Sequence, residues 1–113
     1  MSFTKHLSTV KDMKGFSLCE RDSVVARVNW ADVVQITAYK ADLLTCDTVA
    51  IRFDIEPTSR SITITEEVKG FEAIRNELAA AFPTIEPMWY ERVLQPPFAT
   101  NETILFKWQE NET

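Results

Sequence analysis

Apolar and polar residues alternate along the middle of the chain. Val34, Ile36 and Ala38 are interleaved with Gln35, Thr37 and Tyr39. Val49, Ile51, Phe53 and Ile55 are interleaved with Ala50, Arg52, Asp54 and Glu56, and Ile62 and Ile64 with Ser61, Thr63 and Thr65. A period of two marks a strand with one face in the core. Upstream, Phe16 to Cys19 and Val24 to Asn29 flank the polar run Glu20-Arg21-Asp22-Ser23, which predicts a hairpin. Trp30-Ala31-Asp32 interrupts the strands, and the Trp30 ring is expected to cover one end of the core. Pro57-Thr58-Ser59-Arg60 reads as a turn. Strands joined by short polar turns, with no helix between them, imply antiparallel pairing.

The period then changes. Phe71, Ile74, Leu78 and Phe82 are spaced by three, four and four residues and form one stripe of a helix over Val68 to Phe82. Glu66 and Glu67 complement the positive end of its dipole, and Pro83 forces its exit. Gly70 weakens the first turn, so the regular helix is expected to begin there. Pro87 to Val93 predicts a short second helix with Trp89 and Val93 on one face, and Thr103 to Trp108 a returning edge strand. The predicted fold is α+β: an antiparallel five- to six-stranded meander packed on one amphipathic helix. Residues 1–14 are expected as a loose arm, 15–108 as a single domain and 109–113 as a solvated tail. The helix stripe is expected to bury against Ile36, Val49, Ile51, Phe53, Ile62 and Ile64.

Composition narrows the functional classes. The 113 residues carry a formal charge of -5, which disfavours nucleic acid or an anionic membrane surface and suits a basic protein partner. No apolar stretch is long enough to cross a bilayer and no secretory core opens the chain, so a cytoplasmic location is expected. His6 is the sole histidine, so neither a zinc cluster nor a rigid catalytic triad is expected. Cys19 and Cys46 read as free, buried thiols rather than a bridge. With Gly15 and Gly70 the only glycines, no phosphate-cradling glycine loop exists. The carboxylates Asp42, Asp47, Asp54 and Glu56 match no calcium-loop spacing and read as a solvated strand face. No catalytic residue, metal ligand or cofactor is expected.

Two segments carry recognition chemistry. Tyr39-Lys40-Ala41-Asp42-Leu43-Leu44-Thr45-Cys46-Asp47 places charges around a turn with two leucines, as a recognition loop would. Its structural reading has Lys40 paired with Asp42, Asp47 forming an Asx turn and the leucines packed inward. Trp89, Tyr90, Pro96, Pro97, Phe98 and Trp108 make an aromatic, proline-dense segment suited to a partner surface. Its structural reading has Trp89 and Phe98 closing the core beneath an irregular loop. The candidate partner-binding residues are therefore Tyr39, Lys40, Asp42, Asp47, Trp89, Tyr90 and Phe98.

Trp30-Ala31-Asp32-Val33-Val34-Gln35-Ile36-Thr37-Ala38-Tyr39-Lys40-Ala41-Asp42-Leu43, Thr45-Cys46-Asp47, Glu66-Glu67-Val68-Lys69-Gly70-Phe71 and Phe98-Ala99-Thr100-Asn101-Glu102-Thr103 together resemble a group of small uncharacterised bacterial proteins. The resemblance spans most of the chain, implies a bacterial stand-alone domain and carries no activity. A strand meander on a helix also resembles the pleckstrin-homology roll, which closes with its helix, whereas this chain continues beyond it. The function expected is a non-catalytic protein-interaction module, with an immunity-type protein masking a basic toxin as a special case. The alternative is a small-molecule or lipid-binding domain with its pocket between sheet and helix. A homodimer through the Thr103 to Trp108 edge is a further expectation.

Overall fold

The computed structural model describes residues 7–42, 47–95 and 102–108, with the side chains of Asp42 and Asp47 outside that description. Among these residues, two antiparallel sheets and one main helix make an α+β fold. β1 (Leu7–Asp12), β2 (Gly15–Glu20) and β3 (Ser23–Asn29) form the first sheet in that order. A 3-10 turn, Trp30–Asp32, leads into the second. That sheet is built from β4 (Val33–Asp42), β5 (Asp47–Ile55), β6 (Arg60–Thr65) and β7 (Thr103–Lys107), ordered β6-β5-β4-β7. The helix α1 (Phe71–Ala81) and the short α2 (Trp89–Val93) lie between β6 and β7.

The single meander expected from the sequence is thus corrected to seven strands in two sheets among the described residues. The Trp30–Asp32 turn ends the first ladder and redirects the chain, so β3 and β4 do not pair. The segment 1–14, expected as a loose arm, contains β1, held on one side by its whole length against β2. On the other side Thr9 N–H donates to the Lys69 carbonyl at 2.8 Å and Lys69 N–H to the Leu7 carbonyl at 3.4 Å. These backbone bonds need no side-chain period, which explains why none announces the strand. Gly70 follows directly, at φ 92, and a Cβ there would lie 2.3 Å from the Thr9 hydroxyl. The residue is glycine because β1 passes so close.

α1 begins at Phe71, after Gly70, as its first turn predicts. Phe71, Ile74, Leu78 and Phe82 are all buried, as are Ile36, Val49, Ile51, Phe53, Ile62 and Ile64. The register explains the match: Ile36 pairs with Phe53, Ala38 with Ile51 and Lys40 with Val49, so these side chains share the face that meets the helix. The opposite face is less polar in environment than the alternation implies. Thr37 and Ala50 are fully buried on it. Thr37 sits between Arg52 of β5 and Ile104 of β7, and Ala50 between Tyr39 and Thr65, so larger neighbours shade small side chains.

The first sheet adds Phe16 and Val28, a directly opposed and fully buried pair. Lys11 of β1 meets Glu77 of α1 at 3.4 Å. On the outer face the Asp12 carboxylate receives both Arg27 Nη atoms, at 2.7 and 2.9 Å, and the Lys14 and Gly15 N–H groups. The Arg27 bonds first, and then the backbone donors, hold the Asp12 carboxyl well below the usual carboxylate range.

Two measurements check this account. Leu78→Ala removes a fully buried side chain from the helix stripe and is expected to cost about 2–5 kcal/mol in urea denaturation. Asp12→Asn is expected to lower the urea midpoint at neutral pH. Because the folded pKa is depressed, the wild-type advantage is complete above the ordinary carboxylate value of 3.8 and disappears as pH falls through the lower folded value. A midpoint difference that stays constant into strong acid contradicts the assignment.

Candidate functional site

Glu66 leaves the end of β6 and turns its side chain back over β5. Its N–H donates to the Val49 carbonyl at 3.0 Å, and its Oε1 accepts the Val49 N–H at 2.8 Å. A carboxylate thereby extends the ladder by one step. Its second oxygen, Oε2, accepts the Tyr90 hydroxyl proton, which ties α2 to the end of β6. Arg75, one turn into α1, lays its guanidinium over the Tyr90 ring, 3.7 Å from the centroid. The Glu66 bond, reinforced by burial and by the Glu66 charge, pushes the Tyr90 phenol up to about 12. The phenol therefore remains a neutral donor throughout the neutral range.

Two clefts meet at this pair. The first, about 390 Å³, lies over the start of α1 and is lined by Glu66, Glu67, Glu72, Lys69, Arg75 and Tyr90 together with the backbone around Gly70. The second, about 300 Å³, lies between α1 and the chain that follows it. Arg75, Asn76, Ala79, Pro83, Ile85, Pro87, Trp89 and Tyr90 line it. Arg75 and Tyr90 form the shared wall.

Trp89 is 5% exposed and packs edge-on to Tyr90 at 5.8 Å, so it closes the core. Lys40 is 3% exposed on the helix-facing side of β4, and its Nζ donates to the Leu94 carbonyl at 3.2 Å. This joins the end of β4 to the end of α2 and brings Lys40 together with the Trp89–Tyr90 segment. Tyr39 faces away, opposite Ala50. Asp42 and Asp47 pair through their backbones at the end of the β4–β5 ladder. Their side chains, the loop 43–46 with Cys46, and Phe98 lie outside the described residues. Glu66 and Arg75 are the participants that residue patterns miss. Glu66 reads as a complement to the helix dipole, and nothing in the residue pattern singles out Arg75; neither announces a partner at residue 90.

A second candidate surface surrounds the 3-10 turn. Met13 is 94% exposed and Trp108 57% exposed. Trp108 is anchored by its N–H, which donates to the Val34 carbonyl at 2.8 Å. Two depressions adjoin there. One of about 440 Å³ is lined by Ala31, Asp32, Val33, Val34, Glu56, Pro57 and Trp108. The other, about 520 Å³, is lined by Met13, Lys14, Asn29, Trp30, Ala31 and Asp32. The Trp108 aromatic was legible as a surface candidate; Met13, in a segment without periodicity, was not.

Among the described residues no three His, Cys, Asp or Glu side chains gather as a metal site, and no helix is long and apolar enough to cross a membrane. Cys19 is a free, half-buried thiol. No protein-family model, curated protein or solved structure matches the chain.

The Glu66–Tyr90 bond has a spectroscopic test. In an alkaline absorbance titration one phenol is expected to ionise near pH 12, and Glu66→Gln to return it toward the ordinary value of 10.0. The sign follows from the raised folded value. The stabilisation is complete below pH 10.0 and is lost as pH rises through about 12. Glu66→Gln is therefore expected to lower the urea midpoint below pH 10.0, with the difference from wild type vanishing as pH rises through about 12.

Proposed function

We propose that this protein is a non-catalytic interaction module that binds a basic protein partner through the surface around Met13, Ala31 and Trp108. The exposed Trp108 beside two adjoining depressions carries this reading. Tryptophan and methionine are enriched at interface centres, where a ring entering a partner's pocket contributes much of the affinity. Asp32 and Glu56 stand at the rim and, with the overall charge of -5, favour a cationic partner and raise its rate of encounter. An immunity-type protein that covers a basic toxin is one form this function takes. The partner itself is to be sought among the products of neighbouring genes.

Two other readings have less support. A small-molecule or lipid pocket between sheet and helix competes with Ile36, Phe53, Ile64, Ile74 and Leu78, all fully buried at that interface. A homodimer through β7 meets a bulged edge, where the register shifts between Ile36 and Thr37, and a charged Lys107, two features that discourage strand pairing.

The test is quantitative affinity capture with the full chain and with the variant carrying Trp108→Ala and Met13→Ser. The wild type is expected to retain a basic protein that the variant binds at least about thirtyfold more weakly. Both positions are exposed, so the urea midpoint should be unchanged. Equal capture by both proteins overturns the proposal.

A further inference from the structure

The second cleft differs from the rest of this acidic molecule. Among the described residues its lining holds one cation, Arg75, and no carboxylate. Ala79, Ile85, Pro87 and Trp89 supply an apolar wall, while Asn76 adds a side-chain amide beside the guanidinium. The Arg75 guanidinium makes no ion pair or hydrogen bond among the described residues, although it is half-buried and its Cζ lies over the Tyr90 ring, 3.7 Å from the centroid. Stacking on a ring leaves the N–H edge of the fork free, and that fork fits a carboxylate with two parallel bonds. An oriented guanidinium with unused donors at the end of an apolar cleft is a complementary site for an apolar group that ends in a carboxylate.

We infer that the Arg75 cleft binds the C-terminal residue of a protein chain, with the terminal carboxylate on Arg75 and an aliphatic side chain against Ile85, Pro87 and Trp89. A volume of about 300 Å³ suits one aliphatic residue. The adjoining cleft gives the preceding residues a place to lie, and its Glu66, Glu67 and Glu72 outnumber Lys69 and Arg75. This charge favours a basic residue upstream of the chain end. A free acid would leave the acidic cleft unused and bind more weakly. The site is separate from the Trp108 surface, so either can fail without the other.

The experiment is an NMR titration of the isotope-labelled full chain with three probes. They are an acetylated tetrapeptide with lysine first and leucine last, the same peptide as its C-terminal amide, and isocaproate. The free-carboxylate peptide is expected to shift the Arg75 side-chain N–H, Ala79 and Trp89 signals saturably. The amide should bind about tenfold or more weakly, as should isocaproate. Arg75→Gln is expected to erase the preference for the carboxylate. Arg75→Lys keeps the charge without the fork and should restore only part of it. Signals elsewhere in each variant's spectrum report that it is folded. Equal binding of acid and amide peptides, or no saturable shift, overturns the proposal. Isocaproate binding as tightly as the peptide replaces the chain end with a small acid and overturns it too.

Discussion

Phe16, Trp30, Phe53 and Phe82 meet where the two sheets and the helix converge. Phe16 comes from β2, Phe53 from β5 and Phe82 from the end of α1, and Trp30 touches all three with ring centroids 5.7 to 6.1 Å apart. Phe106 extends the cluster into β7, 4.5 Å from Phe82. A sheet pair with only backbone ladders would have nothing to set the angle between its halves. Tilted and edge-on ring contacts set it here, because aromatic faces and edges attract only in particular orientations. The Trp30 indole N–H is buried with no acceptor among the described residues, which is the cost of placing this side chain at the junction. That cost is tolerated because the ring links three elements at once.

Much of this framework was legible in the residues. Period-two alternation identifies β4, β5 and β6, and the three-four-four spacing identifies α1 and the face it buries, because side-chain burial is what imposes those periods. β1 was not legible: Ser8, Thr9 and Val10 carry no consistent pattern, and the strand is held by main-chain bonds to β2 and Lys69. Nor could alternation reveal that the ladder breaks at Trp30, since a strand looks the same whichever sheet receives it. At the candidate site the same limit applies. Tyr90 and Trp89 stand out by residue type, whereas Glu66 and Arg75 acquire their roles from a juxtaposition created by the fold.

The two surfaces proposed for recognition differ in character. Around the 3-10 turn, apolar side chains stand out from an acidic rim. Beside α1 the arrangement is inverted, with a cation at the mouth of an apolar recess and acidic groups next to it. Glu66 stabilises that second arrangement by occupying the Tyr90 hydroxyl, which leaves the Tyr90 face to orient Arg75. A structural bond thus prepares a polar group for use by something else.

The bridge between β1 and Lys69 bears on the order in which the molecule assembles. Ladders β1–β2, β2–β3, β4–β5 and β5–β6 join consecutive strands, so each can close as soon as its own two strands exist. The β1–Lys69 contact spans 60 residues, and β7 must return to β4 across both helices. Distant closures carry a larger loop entropy and form late. During synthesis, a chain that has emerged only as far as α2 has β4 with one bare edge, Thr37 and Ala38 among its unpaired positions. Until β7 arrives, that edge is the place where a nascent copy is open to pairing with the wrong strand.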